Sequence, residues 1–423
     1  MTRVSAYRSA ALVSLLFLLG PRLQAQKSPE AQPAMFVNSN DKFGMTLLNT
    51  VHGENPDRNI AIAPLPVSLT FAALLEGSSD STSSKEILST FQWEMAPNLS
   101  AAGRMLIARF EKPKPYPIRR PTPPKVRDDP NAQYFHSGKP QEMWLSIAFL
   151  YRGKGSLSQD FIDRVKYSFG FEFRAVGDLS PQSAAIARTW DPSLPMPAVA
   201  GLNDFWITSS FHLRDSWAGN TFVESKREKQ DFTVRSGNIV KADFLKSEFF
   251  TYPYVHTEDF EAVVLSCWNA SLLLVLPGEG KDIHQLEAEM AKDPAMAESQ
   301  LERRPGDIQM PPFHFSFEGN LGIALKRMGV HRIFNDVQTL ISMAPTRSGG
   351  RLQGVAQKTE ITVDENGIRA DSGTIAHGIF GGIMSGQETS FHMILNRPFL
   401  FIIRDKVTNT LLFNGVVVNP LLQ

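Results

Sequence analysis

Apolar and polar residues recur along this chain with two different periods, and the periods divide it into elements. Phe36, Phe43, Met45, Leu47 and Leu48 stand at helical spacing and predict a helix over 35–51. The run Asn59-Ile60-Ala61-Ile62-Ala63-Pro64 leads into a second helix over 67–75, where Pro64 and Pro66 suit a helix start better than an interior. Phe161, Ile162, Val165 and Phe169 mark one face of a helix over 159–169, and further helices are predicted at 283–290 and 321–328. A helix that begins at Ala184 is stopped after Trp190 by Asp191-Pro192-Ser193-Leu194-Pro195-Met196-Pro197. Strands are predicted over 143–150, 171–176, 205–213 and 308–317, with a pair of them inside 263–276.

The clearest pattern lies near the C-terminus. Thr359, Ile361 and Val363 alternate with Glu360, Thr362 and Asp364, a strand with two unlike faces that Glu365-Asn366-Gly367 interrupts. From Ile368 to Ser390 the residues are mostly small or flexible, with Gly373, Gly378, Gly381, Gly382 and Gly386 and no proline. Strand pattern returns at 391–395 and 399–404, then at 411–418 after the polar turn Thr408-Asn409-Thr410. An ordinary hairpin closes in about two to five residues, whereas this gap uses more than twenty. Loops of that length in a compact domain are usually functional or disordered.

Asp364-Glu365-Asn366-Gly367, the long loop, Asn396-Arg397-Pro398-Phe399, Phe401 to Arg404, and Leu412 to Pro420 resemble, in that order and spacing, the C-terminal end of serpins. The early helices resemble the same family through Asn59-Ile60, Pro64, Gly77, Thr82 and Glu86-Ile87. So do the block from Phe205 through Trp217 to Phe222, the turn Leu276-Pro277-Gly278-Glu279-Gly280, and Ile333-Phe334. Departures are visible too: Arg214-Asp215 stands for the usual Lys-Gly, Ser209 for Asn, and the longer helix with Thr-x-Gly-Lys-Ile is missing near residue 190. The resemblance covers about 35–422. It implies one α+β domain over 35–423, with three β-sheets, about eight or nine surrounding helices and an exposed reactive-centre loop over 366–390. It identifies a fold before it identifies an activity.

Composition narrows the setting. The chain has 423 residues and equal numbers, 43 each, of basic and acidic side chains, so its charge gives no reason to expect nucleic acid. The single cysteine, Cys267, excludes an internal disulfide and reads as a buried thiol among Val264, Leu265 and Trp268. Arg3 and Arg8, the apolar run from Ala10 to Leu19, and Leu23-Gln24-Ala25 read as a signal peptide over 1–25, followed by a polar linker over 26–34. The apolar run is too short for a membrane span. Export without disulfides fits a secreted, extracellular or periplasmic bacterial protein. The basic, proline-rich segment 111–130 is neither helix nor central strand; a solvated linker is preferred to a polyanion-binding arm.

No arrangement of catalytic residues stands out, no cofactor is implied, and the nine histidines show no metal-ligand spacing. His377 and Ser385 share the loop without an orienting acid, so an enzyme is not expected. The resemblance implies instead an inhibitor of serine endopeptidases. In inhibitory members of that family the loop is cleaved, holds the peptidase as an acyl-enzyme, and inserts as a new strand into the large sheet. In an inserted strand Ile368, Ala370, Ser372, Thr374, Ala376 and Gly378 share the inward face. Ile368 is the exception in size where the family usually has Thr or Ser, and overpacking of that kind costs about 1–3 kcal/mol. Glu365, Gly367, Ile368, Ala370, Ser372 and Thr374 are therefore the hinge, and Phe380, Gly381, Gly382 and Met384 the bait. Phe380 or Met384 suits a chymotrypsin-like or elastase-like enzyme, with subtilisin-like and cysteine peptidases as further targets of a monomer. Ala63, Pro66, Ser209 and Gln357 occupy the places of the family's polar cluster beneath the opening sheet, beside Trp217, which is retained. The alternative is a non-inhibitory binding or structural protein whose loop is a recognition surface.

Overall fold

The computed structural model describes residues 31–78, 80–93, 98–111, 142–153, 157–176, 205–218, 221–345, 350–370 and 390–423. The expected signal peptide, the proline-rich segment, the helix begun at Ala184 and most of the long loop lie outside them.

Two sheets organise the described residues. The first has six strands: β2 (Glu142–Arg152), β3 (Glu172–Val176), β4 (Phe205–Ser216), β11 (Phe313–Asn320), β12 (Ala356–Asp364) and β13 (Gly367–Ala370). Their order is β11-β12-β13-β4-β2-β3, antiparallel except for the β2–β3 edge. The second has ten: β1 (Ile60–Ile62), β5 (Phe222–Thr233), β6 (Ile239–Ser247), β7 (Phe250–His256), β8 (Phe260–Ser266), β9 (Ala270–Pro277), β10 (Glu302–Met310), β14 (Phe391–Ile394), β15 (Phe399–Asp405) and β16 (Leu411–Val417). The three sheets expected from the sequence resolve as two hydrogen-bonded sheets. The reason is β10, which pairs with β7, with β6 and with β14 and so joins two arms into one.

The single strand expected over 308–317 is two strands in different sheets. Pro311 and Pro312 separate β10 from β11, because neither has a backbone N–H to continue a ladder.

Eight α-helices among the described residues surround these sheets: α1 (Ala31–Glu54), α2 (Pro64–Glu76), α3 (Ser81–Thr90), α4 (Leu99–Arg109), α5 (Gln159–Phe169), α6 (Ile283–Lys292), α7 (Leu321–Arg327) and α8 (Arg332–Asn335). Helix α2 starts at Pro64 and is buried nearly all round, as a helix without a polar face must be. In β15 and β16 every residue is buried, so apolar runs replace alternation there. The two charged residues of that run are paired. Arg404 reaches Asp41 and, at 2.7 Å, Glu298, while Asp405 binds Arg109 at 2.6 Å. No helix among the described residues is long and apolar enough to cross a membrane.

Candidate functional site

The site is built where β12 turns back on itself. Asp364 accepts the N–H of Asn366 at 2.7 Å, and Gly367 takes φ +135°. A Cβ on Gly367 would lie 2.2 Å from the carbonyl oxygen of Asp215, so only glycine lets the two backbones approach this closely. The chain then runs into the sheet as β13. Residues 367–370, expected from the sequence to belong to the loop, are a strand because both edges beside them have free partners. Ile368 pairs with Val363 on β12 and with Asp215 on β4, and Arg369 pairs with Thr362 and Arg214.

The two faces of this strand differ. Ile368 is fully buried in the apolar core, so the bulk that the sequence sets against insertion already has a place. Arg369 is only half-buried and reaches Asp364 at 3.2 Å. Glu365, at the turn, pairs with Arg227 of β5. Of Ala370 the backbone is placed, in register with Leu213. Ser372, Thr374, Phe380, Gly381, Gly382 and Met384 lie outside the described residues.

The mouth of the sheet is held by Trp217 and Asp215. The Trp217 indole N–H donates to the carbonyl of Asp364 at 2.9 Å, which pins the end of β12. Trp217 also bridges to Cys267 and meets Phe222 edge-on, with ring centroids 5.6 Å apart. Asp215 is buried, and one of its carboxylate oxygens accepts the N–H groups of Asn269 at 2.6 Å and Ala270 at 2.7 Å. It therefore ties β4 to the β8–β9 turn at the level of Ile368. Burial pushes the Asp215 carboxyl above its ordinary range despite these donors. Burial, with the Asp215 charge adding to it, holds the Cys267 thiol well above its usual value, although the backbone of Ile368 hydrogen-bonds to it. A thiol so placed is packing rather than a nucleophile.

Of the four residues assigned to the sheet-opening cluster, the structure brings two together. Gln357 on β12 accepts the N–H of Ala63 at 3.0 Å and donates to its carbonyl at 2.8 Å, a two-point clamp between the strand and the start of α2. Pro66 is buried in the first turn of α2, and Ser209 sits on β4 opposite Ile147. Polar residues nearby were not singled out from the sequence. Ser68 donates to Asn40 at 2.9 Å, and His212, bonded to Ser210, stacks on Trp144 at 3.8 Å. The polarity of Ser68 inside the largely apolar α2 signals it, whereas Asn40 stands among Asn38, Ser39, Asp41 and Lys42 of α1 and is hidden by them.

The start of the segment following β12 thus lies in register between two strands of the six-stranded sheet. The family of serpins (serine protease inhibitors) matches residues 38–420, and the chain belongs to it. It is 23% identical over 411 residues to a serine protease inhibitor of Rattus norvegicus, covering 93% of this chain and 91% of that one. It is 24% identical over 267 residues to Serpin-Z7 of Hordeum vulgare, covering 57% of this chain and 64% of the relative. Among solved structures it is similar to Arabidopsis AtSerpin1 in the native stressed conformation, with a TM-score of 0.74, 17% identity and coverage of 92% and 99% of the two chains. Thyroxine-binding globulin in complex with thyroxine gives a TM-score of 0.71 at 21% identity, covering 91% of this chain and 99% of that one. At such identities the likeness to solved structures is one of fold.

Proposed function

We propose that this protein is a secreted inhibitor of serine endopeptidases that works by loop cleavage, acyl-enzyme trapping and insertion of the cleaved loop into the six-stranded sheet. The observation that carries this reading is the seat of β13: a strand enters between β4 and β12 with Ile368 inward and Arg369 outward. Each further residue that followed it would extend hydrogen bonding on both sides at once.

The peptidase serine attacks the carbonyl of the bait residue, Phe380 or Met384, forms an ester with it and releases the new amino terminus of the downstream fragment. The ester is normally hydrolysed by water. Inhibition requires the freed segment to insert faster than that hydrolysis, carrying the ester away from a competent active site. Phe380 is the only aromatic residue between Gly367 and Ser390, which favours a chymotrypsin-like target, with elastase-like, subtilisin-like and cysteine peptidases to be compared. The leader-like N-terminus and the single cysteine support an extracellular or periplasmic monomer of bacterial type.

A second reading, a binding or structural protein, is favoured by the same hinge. Gly367 has no room for a side chain, Ile368 is buried, and Trp217 pins Asp364, so the base of the loop is firmly held. One experiment separates the two. Limited chymotrypsin treatment should nick the loop between Gly378 and Ser385, raise the melting temperature sharply, and leave a covalent complex that survives denaturing electrophoresis. Unchanged melting of the nicked protein, with the peptidase fully active at every ratio, establishes the binding reading instead.

A further inference from the structure

Far from the hinge, three side chains that the inhibitor reading does not use converge between α1 and α6. His52 lies in the last turn of α1, and His284 and Glu287 stand one turn apart on α6. The His52 and Glu287 side chains are fully buried, whereas a quarter of His284 is exposed. Nδ1 of His52 lies 2.7 Å from one oxygen of Glu287, and Nδ1 of His284 lies 3.1 Å from the other. The two rings lie with their centroids 4.2 Å apart and their planes tilted by 34°.

A second contact orients the His52 ring. Nε2 of His52 faces the carbonyl oxygen of Pro56 at 3.2 Å, and a carbonyl can only accept. That nitrogen therefore carries the ring proton. Nδ1 then faces the Glu287 carboxylate at 2.7 Å and is the ring atom directed at a cation shared with it. A proton is one such cation; a metal ion is the other. A metal-bound histidine characteristically donates its remaining ring N–H to a carbonyl or carboxylate, which fixes the tautomer, and Pro56 provides that partner.

We infer that His52, His284 and Glu287 form a binding site for one divalent transition-metal ion of the zinc class, which fastens the end of α1 to α6. The donors are two imidazole nitrogens and a carboxylate, and their ligand atoms all lie within 4.8 Å of one another. Four-coordinate zinc holds nitrogen at about 2.0–2.1 Å, which sets neighbouring donors roughly 3.3 Å apart. The two histidine–carboxylate separations, 2.7 and 3.1 Å, lie close to that spacing, and the widest separation in the set, no more than 4.8 Å, closes to it with a shift of roughly 1.5 Å at most. A mixed nitrogen–oxygen set suits zinc, copper, nickel or cobalt and does not suit calcium or magnesium, which prefer oxygen alone. The partly exposed His284 gives the ion its way in.

The test uses the full chain without a histidine tag, stripped of metal by dialysis against a chelator and titrated calorimetrically with ZnCl2. One saturable site per chain is expected, with MgCl2 and CaCl2 giving none, and with Co2+ showing the visible absorption of a four-coordinate ion. His284→Ala, at the exposed edge of the cluster, should keep the circular dichroism of the parent and lose about tenfold or more in zinc affinity. Glu287→Gln should lose as much, while His256→Ala, an exposed histidine elsewhere, should bind as the parent does. Zinc should raise the melting temperature of the parent and not that of His284→Ala. Absence of saturable zinc binding by the parent, or equal affinity in His284→Ala and the parent, overturns the assignment. Neither result bears on peptidase inhibition, which uses none of these residues.

Discussion

Replacing Ile368 by Thr tests whether the seated hinge is held by apolar burial. The side chain is fully buried in the core, opposite Val363 and Asp215 in the ladder. Thr keeps the branch at Cβ and one methyl but loses the rest of the apolar chain, at about 0.8 kcal/mol for each buried carbon. It also buries a hydroxyl, which costs about 1–3 kcal/mol if it finds no partner. A loss of about 2–3 kcal/mol shifts the equilibrium between seated and released hinge by roughly 30- to 150-fold. Hydrogen exchange followed by mass spectrometry on a peptide spanning 365–370 reads this directly. Protection there should fall by about that factor while peptides from β15 and β16 keep theirs. Protection unchanged within about threefold would mean that the ladder alone, not the side chain, holds β13. Resemblance to inhibitory serpins argues the opposite sign, that Thr speeds insertion by removing bulk. Burial of Ile368 favours the first outcome, and protection that rises at 365–370 would favour the second.

Gly367→Ala should release β13 from β4, since its Cβ would meet the Asp215 carbonyl at 2.2 Å and φ is +135°. The backbone conformation alone costs about 1–3 kcal/mol, seen as a lower melting temperature and loss of exchange protection at Ile368. Asp215→Asn removes a titration while leaving an oxygen to accept from Asn269 and Ala270. Because the folded carboxyl titrates above its ordinary 3.8, the unfolded chain gives up this proton first as pH rises. The contribution of Asp215 is therefore greatest in acid and declines as pH climbs from 3.8 through the raised value. Asp215→Asn should gain on the parent over that window in melting scans run at successive pH values, and a constant gap between the two would refute the burial argument.

What could be read in the sequence follows from how local the signal is. The helix over 159–169 declares itself through Phe161, Ile162, Val165 and Phe169, and the structure gives it those bounds. Strand β12 and its turn are legible for the same reason, as three alternating pairs followed by Glu365-Asn366-Gly367. Strand β13 is not, because Gly367 to Ala370 is too short to show a period and its partner Asp215 lies far upstream in the sequence. The break between β10 and β11 was available in Pro311-Pro312, but alternation on both sides of it masked the change of sheet. The Gln357 clamp eludes any reading of side chains, since its partner, 294 residues away, is the backbone of Ala63. His52 and Glu287 are separated by 235 residues, so no motif spacing could join them. Local periodicity thus reveals elements, while the site depends on which distant edges the topology sets side by side.

The placement of β16 has a consequence for how the chain is made. Ile60, Ala61 and Ile62 find their ladder partners only in Val416, Gly415 and Asn414, and Asn59 is bonded to residues 418, 419 and 422. During synthesis the early strand therefore emerges long before anything it can pair with, and contacts this remote in sequence form slowly. A chain still growing cannot close its core, so folding is withheld until the final segment is released. In the secreted role proposed above, that delay would keep the chain in the unfolded form an export channel takes. It also leaves Ile60 to Ile62 and the apolar faces of α1 and α2 uncovered in the meantime, the period in which such a chain most needs a holding chaperone.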